Sequence, residues 1–156
     1  MNFSRVMLFI AATVIAVALG LIVNALFLDE DRPAITSTGV ASIGGSFELL
    51  DHTGKAVQDS DFREKYMLVF FGYTSCPDVC PTELQVITEA MDRLGDDADK
   101  VVPMMITIDP ERDTAAVLAD YMENFHPRLL GLTGDLAQIK AVGKAYRVYF
   151  AKTKPD

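Results

Sequence analysis

Between Val6 and Leu28 the sequence runs for 23 residues without a charge, broken only by Thr13 and Asn24. Coiled as an α-helix at ~1.5 Å per residue, the run would reach about 34 Å. That is enough to cross a bilayer core of roughly 30 Å. Polar residues never recur in it at helical spacing, so it has no wet face of the kind a surface helix keeps. Residues 1–28 are therefore expected to be a membrane anchor, and only the remainder must fold in water. Arg5 and the terminal amine precede the run, while Asp29, Glu30, Asp31 and Arg32 follow it. This asymmetry predicts a single pass through the inner (cytoplasmic) membrane, with the N-terminus cytoplasmic and the domain on the extracytoplasmic side. A cleaved secretory signal is the rival reading, and Ala16-Val17-Ala18 fits a small-x-small cleavage site. The run continues for ten residues past that site, which favours an uncleaved anchor. Both readings export the same domain.

Beyond residue 28 stand thirteen basic and twenty-two acidic residues, a formal charge of −9. Such a surface lacks the cationic footprint needed to grip phosphate backbones, so nucleic acid is not an expected partner.

Residues 29–42 are polar, contain Pro33 and Gly39, and follow neither hydrophobic period, as a tether would. No internal repeat is present. The domain expected over 43–156 opens with Ser46 to Leu50, a turn at Asp51-His52-Thr53-Gly54, and a return through Val57, the pattern of a small hairpin. The run Tyr66 to Tyr73 is apolar throughout, as a strand covered on both faces should be, and is expected at the sheet centre. Pro81 suits the first position of a helix bearing Leu84, Ile87, Met91 and Leu94, with Gly95 at its end. A second apolar strand spans Val101 to Ile108. Asp113 or Thr114 can cap a helix carrying Val117, Leu118, Tyr121 and Phe125. A short strand or turn at Gly131 to Gly134 precedes a helix capped by Asp135, and Val148 to Ala151 is expected to begin one more strand. Strands alternating with helices predict an α/β domain with a mostly parallel sheet, whose working groups lie beyond the carboxyl ends of strands. Cys76 and Asp109 both follow such ends.

Two cysteines four positions apart beside a helix start bring their Cα atoms within disulfide reach. A helix N-terminus favours negative charge and lowers a thiol pKa, which makes thiolate available for exchange or metal binding. Two thiolates are a soft donor set that suits Cu(I) and admits zinc. A plain stabilising disulfide is the bland alternative. It would close a loop of only three intervening residues and remove little chain entropy, so a working pair is favoured. A structural zinc site needs four ligands. Beyond Cys76 and Cys80 only His52 and His126 are available, and they form no second closely spaced pair. His52 falls in a turn and His126 at a helix exit, where solvated or capping roles are commoner than ligation. Asp109 is either a turn former before Pro110 or a group supporting the thiols from behind. Met67, Met91 and Met105 occupy periodic apolar positions and are expected in the core. The acidic run Asp92 to Asp99 reads as a solvated helix end.

The stretch Thr74-Ser75-Cys76-Pro77-Asp78-Val79-Cys80-Pro81-Thr82-Glu83-Leu84, then Thr107-Ile108-Asp109-Pro110-Glu111-Arg112-Asp113-Thr114, then Gly131-Leu132-Thr133-Gly134, resembles the SCO/SenC family. The resemblance runs from about Gly45 to the end, and its three motifs are highly specific in this order and spacing. It implies a thioredoxin-like fold and a membrane-tethered copper chaperone that helps build the dinuclear copper centre of cytochrome c oxidase. It further implies that Cys76 and Cys80 are the copper-binding thiols, and that the partners are the copper-bearing oxidase subunit and another copper carrier. Family members use a third ligand, a histidine in an Asp-His pair downstream of the stretch seen here as Tyr146 to Phe150. The chain stops at Asp156, before that position and before the family's last strand pair and closing helix, so it resembles a C-terminally incomplete member. Neither His52 nor His126 matches the ligand position. With two thiols alone, the polypeptide is expected to hold Cu(I) but to hold Cu(II) poorly.

Two functions follow. In the first the protein binds and delivers copper and is not an enzyme. In the second it is a thiol-disulfide oxidoreductase that keeps the client's copper-ligating cysteines reduced, one thiolate attacking and the other resolving. The three-residue spacer departs from the two-residue spacer of dedicated thioredoxin-like reductants. A peroxiredoxin-like peroxidase would want a Thr three residues before its reactive Cys, and Thr74 stands only two before Cys76.

Overall fold

A computed structural model describes residues 43–152, together with residues 7, 11, 13 and 15–19. The chain divides into two units, 1–41 and 42–156. In the first, the described positions are helical and exposed. No helix among the described residues is long and apolar enough to cross a membrane. Most of the expected anchor over 1–28 and all of the expected tether over 29–42 lie outside the described residues.

The second unit begins with the anticipated hairpin, β1 (Glu48–Asp51) and β2 (Ala56–Gln58), paired antiparallel. Gly54 takes φ +85° in the turn. The Asp51 carboxylate accepts from the backbone N–H groups of Thr53 and Lys55 at 2.8 and 2.9 Å and from the Thr53 hydroxyl at 2.6 Å. A one-turn 3-10 helix, Asp59–Phe62, leads into β3 (Tyr66–Gly72). Then follow α1 (Val79–Leu94), a 3-10 segment (Gly95–Lys100), β4 (Val101–Thr107), α2 (Ala115–Met122), β5 (Leu130–Thr133) and α3 (Leu136–Ala145). The sheet order is β2-β1-β5-β4-β3. β3, β4 and β5 run parallel, and the hairpin joins β5 antiparallel, so the sheet is mostly parallel, as expected, with an antiparallel hairpin at one side.

β4 is the most covered strand because its alternate side chains serve two cores. Met104 and Ile106 point to the side packed by Ile139 and Val142 of α3, with Leu49 and Leu132. Met105 points to the other, against Leu84 of α1 and Leu118 and Met122 of α2. Met105 and Met91 are buried and Met67 packs at the margin of the first core, the structural use foreseen for them. Helix starts follow the side chains able to cap them. Thr114 Oγ1 accepts from the Val117 N–H, and Asp135 forms a capping box with Gln138.

Three expectations are corrected. β3 is an edge strand among the described residues, not the sheet centre: it pairs with β4 alone. Its apolar run reflects covered faces, since Met67, Val69 and Phe71 pack on one core and Phe70 on the other. Hydrophobicity reports faces and says nothing of which edges are paired. The first helix starts at Val79 instead of Pro81, which puts Cys80 inside its opening turn. Pro81 still falls in the first turn, where its missing N–H costs no hydrogen bond. Val148 to Ala151 form no strand. Arg147 adopts φ +60°, the Val148 N–H bonds back to the Gly143 carbonyl at 2.8 Å, and Phe150 folds onto the first core.

Candidate functional site

β3 ends at Gly72, and the chain turns through Thr74 and Ser75 before α1 begins. The Cys76 N–H donates to the Tyr73 carbonyl at 3.2 Å, closing that turn. Cys76 is half-buried, Cys80 is buried, and both are free thiols. The Cys80 backbone N–H, one of the four that a helix start leaves without an internal partner, donates to Cys76 Sγ at 3.3 Å. Asp78, at the helix cap, makes no side-chain capping bond, so this sulfur takes part of the role a cap would play.

The two thiols differ in acidity. Hydrogen bonds from the Cys80 thiol and then from its N–H hold the Cys76 thiol below its ordinary value, against a smaller effect of burial. The Asp78 N–H and the Tyr73 hydroxyl act in the same direction. Burial pushes the Cys80 thiol up to about 11, reinforced by the hydrogen bond it gives Cys76 and by the negative charge of Asp113. Gly72 makes this packing possible: a Cβ there would stand 3.2 Å from Cys80 Sγ and 2.6 Å from the Phe70 ring. The arrangement resembles a nucleophile and its reserve, one sulfur near solvent and ready to ionise, the other protonated behind it.

Asp109 lies beyond the end of β4 as anticipated, and is buried. Its Oδ2 accepts from Arg112 Nε, and its Oδ1 sits 3.3 Å from Lys152 Nζ without a hydrogen bond. Burial raises its pKa, but the contacts with Arg112 and Lys152 outweigh this and leave it below the usual carboxylate value. A cleft of about 840 Å³ opens here, with Tyr73, Ile108, Asp109, Arg112, Phe150 and Lys152 in its walls. Tyr73, whose carbonyl closes the turn to Cys76, stands in the same walls as Asp109, while the carboxylate itself is occupied by cations.

The histidines are engaged elsewhere. His52 Nδ1 accepts from the Gly131 N–H at 3.1 Å, fastening the hairpin turn to β5. His126 Nδ1 accepts from the Arg128 N–H at 3.1 Å, and its Nε2 lies 3.7 Å from Asp92. Among the described residues no group of three or more His, Cys, Asp or Glu side chains is gathered closely enough to hold a metal. What this part of the chain offers a soft metal is the pair of sulfurs.

Sequence reasoning treated Asp113 only as a possible helix cap, and the structure gives it a different place. It is fully buried, and its carboxylate accepts from the Thr74 N–H, the Thr74 hydroxyl and the Thr107 hydroxyl. A signal was present: Thr74, Thr107 and Thr133 each stand at or just past the end of a strand, three hydroxyls converging where a shared acceptor would be needed. The role of Gly72 left no such trace, because a glycine ending an apolar run is as readily a turn former.

The SCO1/SenC family model matches residues 35–156. Protein sco1 of Schizosaccharomyces pombe is 41% identical over 126 residues, 80% of this chain and 48% of that protein. The mitochondrial SCO2 homolog of Bos taurus is 46% identical over 119 residues, 74% of this chain and 45% of that one. The chain thus spans about half the length of the curated relatives it matches. Among solved structures, Bradyrhizobium japonicum ScoI with copper bound is 51% identical, with a TM-score of 0.70 over 72% of each chain. Arabidopsis thaliana ScoI with copper bound is 43% identical, with a TM-score of 0.68 over 73% of this chain and 71% of that one. The α/β fold is thioredoxin-like, as in these neighbours. With its cysteine pair set between an apolar strand and a helix start, and a family match over more than half its length, the chain belongs to the SCO1/SenC family.

Proposed function

We propose that the protein is a copper-binding chaperone that holds Cu(I) between Cys76 and Cys80 and passes it to the copper-bearing subunit of cytochrome c oxidase, itself receiving the metal from another copper carrier. The observation that carries this reading is the pair of free, unequal thiols bridged through the Cys80 N–H. Thiolates are soft donors and select Cu(I), and a cation beside them offsets the cost of ionising the buried one. The copper recorded in ScoI structures 51% and 43% identical to this chain supports the same assignment. The uncharged run at 6–28 supports a membrane-anchored protein, oriented with its N-terminus in the cytoplasm and its domain outside, where a membrane-embedded client would be within reach.

Titration of the anaerobically reduced protein with Cu(I) against a chromophoric chelator tests this. One Cu(I) per chain in the wild type, lost in Cys76→Ser/Cys80→Ser, is the expected result. Equal uptake by the double variant would overturn it.

The difference between the sulfurs favours a second reading, reduction of a client disulfide. The Cys76 thiolate attacks one client sulfur and expels the other as a thiolate, which takes up a proton. Cys80 then gives up its own proton and attacks Cys76, closing the Cys76-Cys80 disulfide and freeing the second client thiol. Two electrons pass to the client in all. Reduction of a client-peptide disulfide by metal-free protein, absent in Cys76→Ser, separates this from carriage of copper alone.

A further inference from the structure

The hydroxyls at the carboxyl ends of three parallel strands converge on a single residue. Thr74 follows β3, Thr107 closes β4 and Thr133 closes β5. Asp113 accepts from the Thr74 N–H at 3.0 Å, the Thr74 hydroxyl at 2.6 Å and the Thr107 hydroxyl at 2.6 Å. The Thr133 hydroxyl donates to the Asp113 backbone carbonyl at 2.8 Å. The Asp113 N–H in turn donates to the Asp109 carbonyl at 3.0 Å. Asp113 is 0% exposed, and among the described residues it forms no salt bridge. A carboxylate buried without a cation is tolerated only where hydrogen bonds replace its hydration. Neighbouring Thr114 already caps α2, so capping does not account for Asp113.

We propose that Asp113 is a positioning residue for the thiol pair: it ties Thr74, two residues before Cys76, to the ends of β4 and β5, and so holds the Cys76 sulfur where the first turn of α1 delivers Cys80. Two bonds from one carboxylate to the N–H and hydroxyl of a single residue fix both its place and its orientation. The turn between Thr74 and Cys76 is short, and the Cys76 N–H is bonded to the Tyr73 carbonyl, so displacement of Thr74 carries Cys76 with it. The inference rests on the reading of Cys76 and Cys80 as a working pair, and it concerns their mutual placement with or without metal.

The test is the thiol-disulfide equilibrium of the metal-free protein with glutathione. Cys76 and Cys80 lose two protons and two electrons as their sulfur-sulfur bond forms, and one glutathione disulfide leaves as two thiols. The equilibrium constant reports how well the sulfurs are pre-placed, which a purely structural residue would not change. Asp113→Asn keeps the shape but loses an acceptor, and is expected to lower the constant about tenfold, because sub-ångström misplacement of reacting groups is costly. Thr74→Val, which replaces the hydroxyl by a methyl group, is expected to act in the same direction, and Thr74→Ser to restore the wild-type value. Asp51→Asn is the control: Asp51 is equally a buried acceptor of three bonds, in the hairpin, and its loss should lower Tm while leaving the constant unchanged. An unchanged constant in folded Asp113→Asn, or in Thr74→Val if the first variant does not fold, would overturn the proposal. So would an equal shift in Asp51→Asn. Cu(I) uptake is scored separately: its absence in the wild type defeats the copper reading and leaves the glutathione result standing.

Discussion

Cys76 Sγ accepts a hydrogen bond from the backbone N–H of Cys80, so the helix that carries one cysteine stabilises the charge of the other. The donor belongs to a backbone turn and cannot rotate away as a side chain would, which makes the inequality of the thiols a property of the fold. Iodoacetamide should therefore modify Cys76 first, with a rate-pH midpoint below that of an ordinary thiol. Cys80, buried and with its thiol raised to about 11, should stay unmodified until the protein is denatured. Peptide mass spectrometry after timed quenching reads both rates, and comparable labelling of the two at neutral pH would contradict the assignment.

Gly72 gives Cys80 its room. An added methyl would meet the Phe70 ring at 2.6 Å and the Cys80 sulfur at 3.2 Å. Both contacts lie in a packed region, so Gly72→Ala should destabilise the domain by about 1–3 kcal/mol. Because the sulfur is one of the atoms displaced, the same change should raise the reactivity of Cys80 toward iodoacetamide. Denaturant melts and labelling give the two readouts. Loss of stability with Cys80 still inert would mean that the phenyl ring yields and the thiol does not move.

Much of this site is legible in the chain. Cys76 and Asp109 declare themselves because they follow apolar runs and Cys80 by its spacing from Cys76, and the hairpin, the caps at Thr114 and Asp135 and the core methionines follow from local chemistry. Other features depend on partners remote in sequence. Asp113 is coupled to Thr74 across 39 residues, a pairing that no local period encodes. The place of β3 at the edge was hidden for a related reason: its side chains describe the covered faces, whereas strand order is decided by backbone groups common to every sequence. The stretch Val148 to Phe150 has strand-forming residues, yet Phe150 finds a place beside Gly143, and no neighbouring strand is offered among the described residues.

Acid should loosen the hairpin through Asp51. Burial disfavours its charged form, but the hydrogen bonds from Thr53 and Lys55 outweigh this and leave its pKa below the ordinary value. A carboxyl whose folded pKa is depressed adds stability above its unfolded pKa and loses it as pH falls through the folded one. Asp51→Asn should therefore be less stable than wild type at pH 6, by about 1–3 kcal/mol. The gap should narrow as the pH is lowered from about 5 toward 3, where aspartates protonate. Thermal melts of both proteins across that range provide the check. A gap that stays constant would show that the shape of the side chain matters and its charge does not.

Among the described residues one side of β3 is unpaired, which predicts association. From Tyr66 to Gly72 the strand carries no charge, Tyr66 is 76% exposed and Leu68 39%, and among the described residues only β4 pairs with it. Exposed edges of this kind offer unpaired N–H and C=O groups to another chain, and proteins commonly blunt them with lysine. Tyr66→Lys places a charge at the mouth of the strand, at a position too exposed to affect the core, so stability should change by no more than about 0.5 kcal/mol. Light scattering of the domain at rising concentration should show growth of oligomers in the wild type and marked suppression in Tyr66→Lys. If both scatter alike, the associating surface lies elsewhere; if neither associates at high concentration, the bare edge is tolerated as it stands.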